Sequence, residues 1–163
     1  VGFPGETEEY FEALLEFIRE AKFERMGVFT YSKEDGTRAG NMEQQLEDEL
    51  KQERRDRAME AQLAVARAVA ESQVGRTIRV LVEGVASAEE LQGANVSSWE
   101  HGLIRADEER SDLLEGEYLV ARGESDAPDI DGRVYVRGEL PVGDFAEVRI
   151  VGHTDYDLIA EPA

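Results

Sequence analysis

The sequence predicts an α+β chain: the last βαβ part of a larger sheet, then a long connector helix, then a five-stranded antiparallel, OB-like β-barrel. Three observations carry this. Residues 1–41 run from a strand end through an amphipathic helix to a second strand; residues 42–73 contain neither Gly nor Pro; beyond Gly75 the apolar pattern changes from helical spacing to alternation.

The first element begins at a Pro4-Gly5 turn followed by Thr7, a good N-cap, with Glu8 and Glu9 in the first turn where the helix dipole favours negative charge. Phe11, Leu14, Leu15 and Ile18 recur at i, i+3, i+4 and i+7, one apolar face able to pack on a sheet, and the helix should end near Lys22. Residues 26–31, Met-Gly-Val-Phe-Thr-Tyr, are β-branched and aromatic and predict a strand, with a polar loop over 33–40. Two strands cannot close a sheet, and the chain opens on Val1 rather than on methionine, so residues 1–41 are expected to be the end of a larger domain.

Residues 42–74 predict one continuous helix of roughly 45 to 50 Å at ~1.5 Å per residue. Met42, Leu46 and Leu50 form one apolar seam and Met59, Leu63, Ala66 and Val69 another, with Arg54, Arg55 and Arg57 between them and Gly75 as the C-cap. Residues 75–163 form the third part, with strands expected at 77–82, 118–122, 133–136, 145–151 and 157–161. Ile78, Val80 and Val82 share one face, as do Val134 and Val136, and Ala146, Val148 and Ile150. Five short strands without intervening helices point to a small closed barrel, and the polar stretch 86–117, with weak helix signals at 87–91 and 108–114, is expected to be a surface insertion.

The chain has 163 residues, 18 Lys+Arg against 37 Asp+Glu for a net charge of -19, and no cysteine. Disulfides, thiolate metal sites and cysteine catalysis are therefore excluded within these residues. No apolar run is long enough to span a bilayer and none near the start follows a basic stretch, so neither membrane association nor a signal peptide is expected, and the cytoplasm is the expected compartment. The acidic charge is concentrated in the barrel: residues 75–163 hold 8 basic and 20 acidic side chains. Such a surface repels phosphate backbones, which makes nucleic acid an unfavourable partner and a basic protein a favourable one.

The motifs Gly2-Phe3-Pro4-Gly5-Glu6-Thr7 and Phe29-Thr30-Tyr31-Ser32, with Gly36-Thr37 and Ala39 following, resemble the end of the radical S-adenosylmethionine (SAM) domain of methylthiotransferases. Glu53-Arg54, Met59 and Gln62 in the connector fit the same family, and the five-stranded module is similar to its TRAM domain. The stretch from Ser125 to Gly132, Ser-Asp-Ala-Pro-Asp-Ile-Asp-Gly, resembles the branch that modifies ribosomal protein uS12. The resemblance implies a parent enzyme with two 4Fe-4S clusters that cleaves SAM to a radical and adds a methylthio group to an aspartate of uS12. It also implies that the cluster cysteines lie outside these residues, so that this stretch alone is inactive.

By the same resemblance Gly2, Pro4, Gly5 and Glu6 match the loop near the methionine moiety of SAM, and Val28, Phe29 and Tyr31 match the strand whose backbone lies near the adenine. Read from the residues alone, Pro4-Gly5 is a strand-to-helix turn without the phosphate-cradling P-loop pattern, and Phe29 and Tyr31 are core or cofactor residues alike. Asp126, Asp129 and Asp131 form either a solvated Asx-rich turn or a contact site for a basic partner, uS12 on this reading. They do not form an EF-hand: with Gly132 at the sixth position, Ala127 and Gly138 would occupy ligand positions one and twelve. His101 and His153 lack ligand spacing, and Trp99 is either a partner anchor or part of a small local cluster. Two other classes remain open: a tRNA methylthiotransferase, for which a basic barrel would be expected, and a non-enzymatic acidic adaptor.

Overall fold

The computed structural model describes residues 1–87, 91, 117–128 and 131–163. The chain divides into two compact units, whose described parts lie within residues 1–65 and 66–163.

In the first unit, helix α1 (Glu8–Ala21) begins where Thr7 accepts a hydrogen bond from the Tyr10 N–H through its hydroxyl, and ends at Lys22 in a left-handed conformation. Phe11, Leu15 and Ile18 are buried with Val28, Ala58 and Met59, the last two from helix α2 (Asp48–Gln73). The strand expected over 26–31 does not form. The Val1 N donates to the Phe29 carbonyl at 2.8 Å and the Tyr31 N–H to the Val1 carbonyl at 2.7 Å, a pattern straddling Thr30 as in a parallel pair. One residue of partner is too little for a ladder, so the segment is extended without being a strand.

Helix α2 starts six residues later than expected and at 26 residues is about 39 Å long. The preceding segment bonds elsewhere: the Gln44 carbonyl accepts from the Gly5 N–H at 2.8 Å, and the Gln45 side chain donates to the carbonyls of Ala39 and Met42, both at 2.9 Å. Met42, expected in an apolar seam, is exposed. The buried row of this half of α2 is instead Lys51, Arg54, Ala58 and Gln62.

In the second unit, Gly75 takes φ +84 after the helix, and its N–H donates to the Ile150 carbonyl at 2.8 Å. Strands β1 (Thr77–Val85), β2 (Leu119–Gly123), β3 (Val134–Val136), β4 (Phe145–His153) and β5 (Leu158–Pro162) close a barrel in the order β1-β2-β3-β5-β4. All five expected strands are present, but the pairing is mixed: β3 and β5 run parallel, with Val134 beside Leu158 and Val136 beside Ala160. Irregularities at Val82/Gly84 and Ile150/Gly152 bend the two long strands round the closure. The expected inward residues Val80, Val82, Val134, Val136, Val148 and Ile150 fill the core with Leu119, Ala121 and Ala160. Tyr118, Val120, Tyr135 and Ile159 form a second cluster on the opposite face of their strands, against which Ala86 and Leu91 pack. Of the expected insertion only residues 86, 87, 91 and 117 are described; Trp99, His101 and the helix signal at 108–114 lie outside the described residues.

Candidate functional site

The residues matched to the cofactor loop form one tight turn. The Glu6 N–H donates to the Phe3 carbonyl at 2.9 Å, with Pro4 and then Gly5 at φ +84 between them, the order a type II turn requires. Gly2 also has a positive φ, +79, and a Cβ there would stand 2.3 Å from Lys51 Cγ. The Gly2 N–H donates to both Glu6 carboxylate oxygens at 3.0 Å.

Helix α2 grips this turn from behind. Arg54, 3% exposed, donates from one terminal nitrogen to Glu6 Oε1 at 2.7 Å and to the Glu6 carbonyl at 3.0 Å, and from the other to Glu8 Oε2 at 3.0 Å. Its Nε is buried with no partner among the described residues. A buried ion pair offsets its own desolvation poorly, while removing one partner leaves an uncompensated charge, so such a pair fixes geometry more than it adds stability. Arg57, one turn on and more exposed, bonds Glu8 at 2.9 Å and also Glu12. The Glu8 carboxyl is held below its ordinary value, first by its hydrogen bond from Arg57 and then by that from Arg54; reciprocally, Glu8 raises Arg57.

Tyr31 stands beside the turn, its ring 5.4 Å from Phe3 edge-on and 5.8 Å from the Lys51 ammonium. Its hydroxyl is buried and has no partner among the described residues. The expected site residues therefore divide. Gly2, Pro4, Gly5 and Glu6 come together with Tyr31. The Glu6 carboxylate is committed to the Gly2 amide and Arg54, and the Gly5 and Glu6 amides to the Gln44 and Phe3 carbonyls, which leaves the buried Tyr31 hydroxyl without a partner among the described residues. The Val28 side chain belongs to the apolar core, and Phe29 is 68% exposed. Lys51 and Arg54 were not singled out as site residues: the carboxylate partners of Arg54 lie more than 40 positions away, Lys51 pairs with Asp48 only three residues back, and the only sequence signal is a pair of cations at i, i+3 facing a glutamate-rich helix start. The Tyr31 hydroxyl is thus the polar group beside this turn to which an SAM-type ligand could bond. Thiolate-held clusters do not fit, because the chain has no cysteine to hold them.

In the barrel, Asp126 and Asp131 are half-buried and lock their own loop. Asp126 Oδ2 accepts from the Gly123 N–H at 2.8 Å and Asp131 Oδ2 from the Ala127 N–H at 2.7 Å. Asp129 lies outside the described residues. Asp131 borders a groove of about 250 Å3 that also presents Glu83, Arg122 and Arg133, with Arg122 paired to Glu83 at 2.8 Å. The groove is therefore mixed in charge, although residues 75–163 taken together are strongly acidic. On the outer face Arg79 stacks over the exposed Phe145 ring at 4.4 Å, a cation–aromatic pair that the sequence pattern did not reveal. His153 is a strand-end residue with a nearly buried side chain, 2.8 Å from Glu71. No group of three or more His, Asp or Glu able to hold a metal occurs among the described residues, and no described helix is long and apolar enough to cross a membrane.

Comparison with known proteins bears on both units. Residues 107–162 match the TRAM domain family. Over 99% of its length the chain is 48% identical to the ribosomal protein uS12 methylthiotransferase RimO of Opitutus terrae, covering 27% of that protein. The chain is similar to uS12 methylthiotransferases over nearly its whole length and matches the TRAM domain family in its last third. The protein of the same name from Pelotomaculum thermopropionicum is 44% identical over 99% of the chain, and that from Desulfitobacterium hafniense 39% over 98%. The chain spans less than a third of the length of these relatives, 27% to 31%. The TRAM match covers strands β2 to β5 of the barrel described above, and the similarity to the relatives extends through β1 and the turn and helices that precede it.

Proposed function

We propose that this chain serves in a radical SAM methylthiotransferase that adds a methylthio group to an aspartate of ribosomal protein uS12 in the cytoplasm. The observation that carries the reading is the similarity to uS12 methylthiotransferases over nearly the whole chain, which spans the turn, α2 and the TRAM barrel together. In this reading the Gly2–Glu6 turn and Tyr31 border the SAM site, while two 4Fe-4S clusters, bound by residues outside this chain, supply the electrons and the sulfur chemistry. These residues contribute orientation: Arg54 and the Gly2 amide hold the Glu6 carboxylate, and the Tyr31 hydroxyl is free to bond a polar atom of the cofactor.

The barrel supplies substrate recognition. Residues 75–163 hold 8 basic and 20 acidic side chains, 9 of the acidic ones in the stretch 86–117, and the field of this part of the chain attracts a basic protein and repels a phosphate backbone. Asp126, Asp129 and Asp131 are the proposed contact loop. A tRNA substrate is the second reading, favoured by the exposed Arg79–Phe145 pair, the kind of platform on which a base stacks. The test is methylthio transfer by a cluster-loaded full-length protein carrying this chain, with uS12 and tRNA offered separately. The mass gain of a methylthio group on a uS12 aspartate supports the proposal; product on tRNA alone overturns it.

A further inference from the structure

We infer that Arg54 is a positioning residue: its guanidinium fork fixes the Gly2–Glu6 turn in the one conformation that orients the turn's backbone toward SAM. The inference rests on the cofactor assignment proposed above, and goes beyond it by giving α2 a role in cofactor affinity.

The turn is under two constraints that a short loop does not satisfy alone. Gly2 and Gly5 both hold positive φ, +79 and +84, in a stretch closed by the Gly2 amide on the Glu6 carboxylate. A carboxylate bonded only to its own loop would keep its remaining lone pairs in water and could swing away. Arg54 removes that freedom by bonding the Glu6 side chain, the Glu6 carbonyl and the Glu8 side chain with the two terminal nitrogens of one planar group. A lysine ammonium has the charge but not the fork, and cannot hold all three acceptors in that geometry. The guanidinium also lies 5.3 Å from the Phe11 ring, which ties it to the core of the unit. It is kept in place despite a buried Nε donor without a partner among the described residues, a sacrifice of stability for orientation. Arg57 provides an internal comparison: it bonds Glu8 and Glu12 on the same face, is half-exposed, and does not touch the turn.

The experiment compares Arg54→Lys and Arg57→Lys. In this chain, amide hydrogen exchange at Gly2 reports the turn directly. In a cluster-loaded full-length protein carrying the chain, equilibrium binding reports affinity for SAM and, separately, for uS12. Arg54→Lys should speed Gly2 exchange and weaken SAM binding by about tenfold or more, with uS12 affinity unchanged; Arg57→Lys should do neither. Glu6→Gln, which weakens the same bonds without emptying the space, should reproduce the Arg54→Lys effects if the latter does not fold. Unchanged Gly2 exchange in both Arg54→Lys and Glu6→Gln overturns the inference, as does equal loss of SAM affinity in the Arg54 and Arg57 variants. Should the unsubstituted full-length protein bind no SAM, the proposed cofactor site falls, and Gly2 exchange still decides whether Arg54 holds the turn.

Discussion

Replacing Gly2 by alanine separates two effects that the turn combines, because Gly36 offers a matched position with only one of them. Both glycines have nearly the same positive φ, +79 and +78, but a Cβ at Gly36 meets nothing within 4 Å, whereas at Gly2 it meets Lys51 Cγ at 2.3 Å. Gly36→Ala should therefore cost only the left-handed backbone term, ~1–2 kcal/mol. Gly2→Ala carries the same term plus displacement of a side chain that is 6% exposed, an overpacking cost of ~1–3 kcal/mol more. A global melting point would report both compact units at once. Native-state hydrogen exchange at Phe11, Leu15 and Ile18 reads the first unit alone. The share due to the clash should be recovered in the double variant Gly2→Ala/Lys51→Ala, which removes the obstructing side chain. Equal destabilisation by Gly2→Ala and Gly36→Ala, or no recovery in the double variant, would refute the reasoning.

Two further predictions concern α1. Lys22 closes the helix at φ 52, a conformation that glycine adopts without strain, so Lys22→Gly should stabilise the first unit by ~0.5–1 kcal/mol, read by the same exchange measurement. Because Glu8 is held below its ordinary value of 4.5 by Arg57 and then Arg54, its contribution is present above that value and fades as pH falls through the lower folded value. An NMR titration should place the Glu8 midpoint below 4.5, and Arg57→Ala should move it upward, with both effects smaller at high salt because the carboxylate is exposed. A midpoint indifferent to Arg57→Ala would contradict the assigned cause.

What the sequence revealed and what it hid follow from the range of the interactions. The start of α1 is encoded locally: Thr7 as cap, Glu8 and Glu9 behind it and the apolar i, i+3, i+4, i+7 face all lie within twelve residues. The barrel strands were equally legible, since alternation along Val80, Val82, Val148 and Ile150 reports one face against one core. The parallel pairing of β3 with β5 was not, because strand direction is set by closure of the barrel rather than by either segment. The helix expected from Met42 failed to form before Asp48 because Gln44 and Gln45 bond residues 5, 39 and 42 instead. The burial of Lys51 and Arg54 depends on groups far away in sequence, and charged side chains are ordinarily read as solvent-facing. At the barrel loop the aspartates were visible, but their commitment to the Gly123 and Ala127 amides was not.

The most direct test of the proposed recognition is a salt series for binding of this chain to uS12 and, in parallel, to a tRNA anticodon stem-loop. Attraction between an acidic barrel and a basic protein is screened over roughly 8 Å at physiological ionic strength. Binding of uS12 should therefore be stronger than that of the RNA and weaken steadily as salt rises. Substituting Asp126, Asp129 and Asp131 by asparagine should weaken it further at low salt while keeping the acceptor oxygens that the Gly123 and Ala127 amides use. Tighter binding of the stem-loop, unaffected by the three substitutions and lost when Arg79 or Phe145 is replaced by alanine, would contradict recognition of uS12 by the barrel and assign the chain to a tRNA substrate.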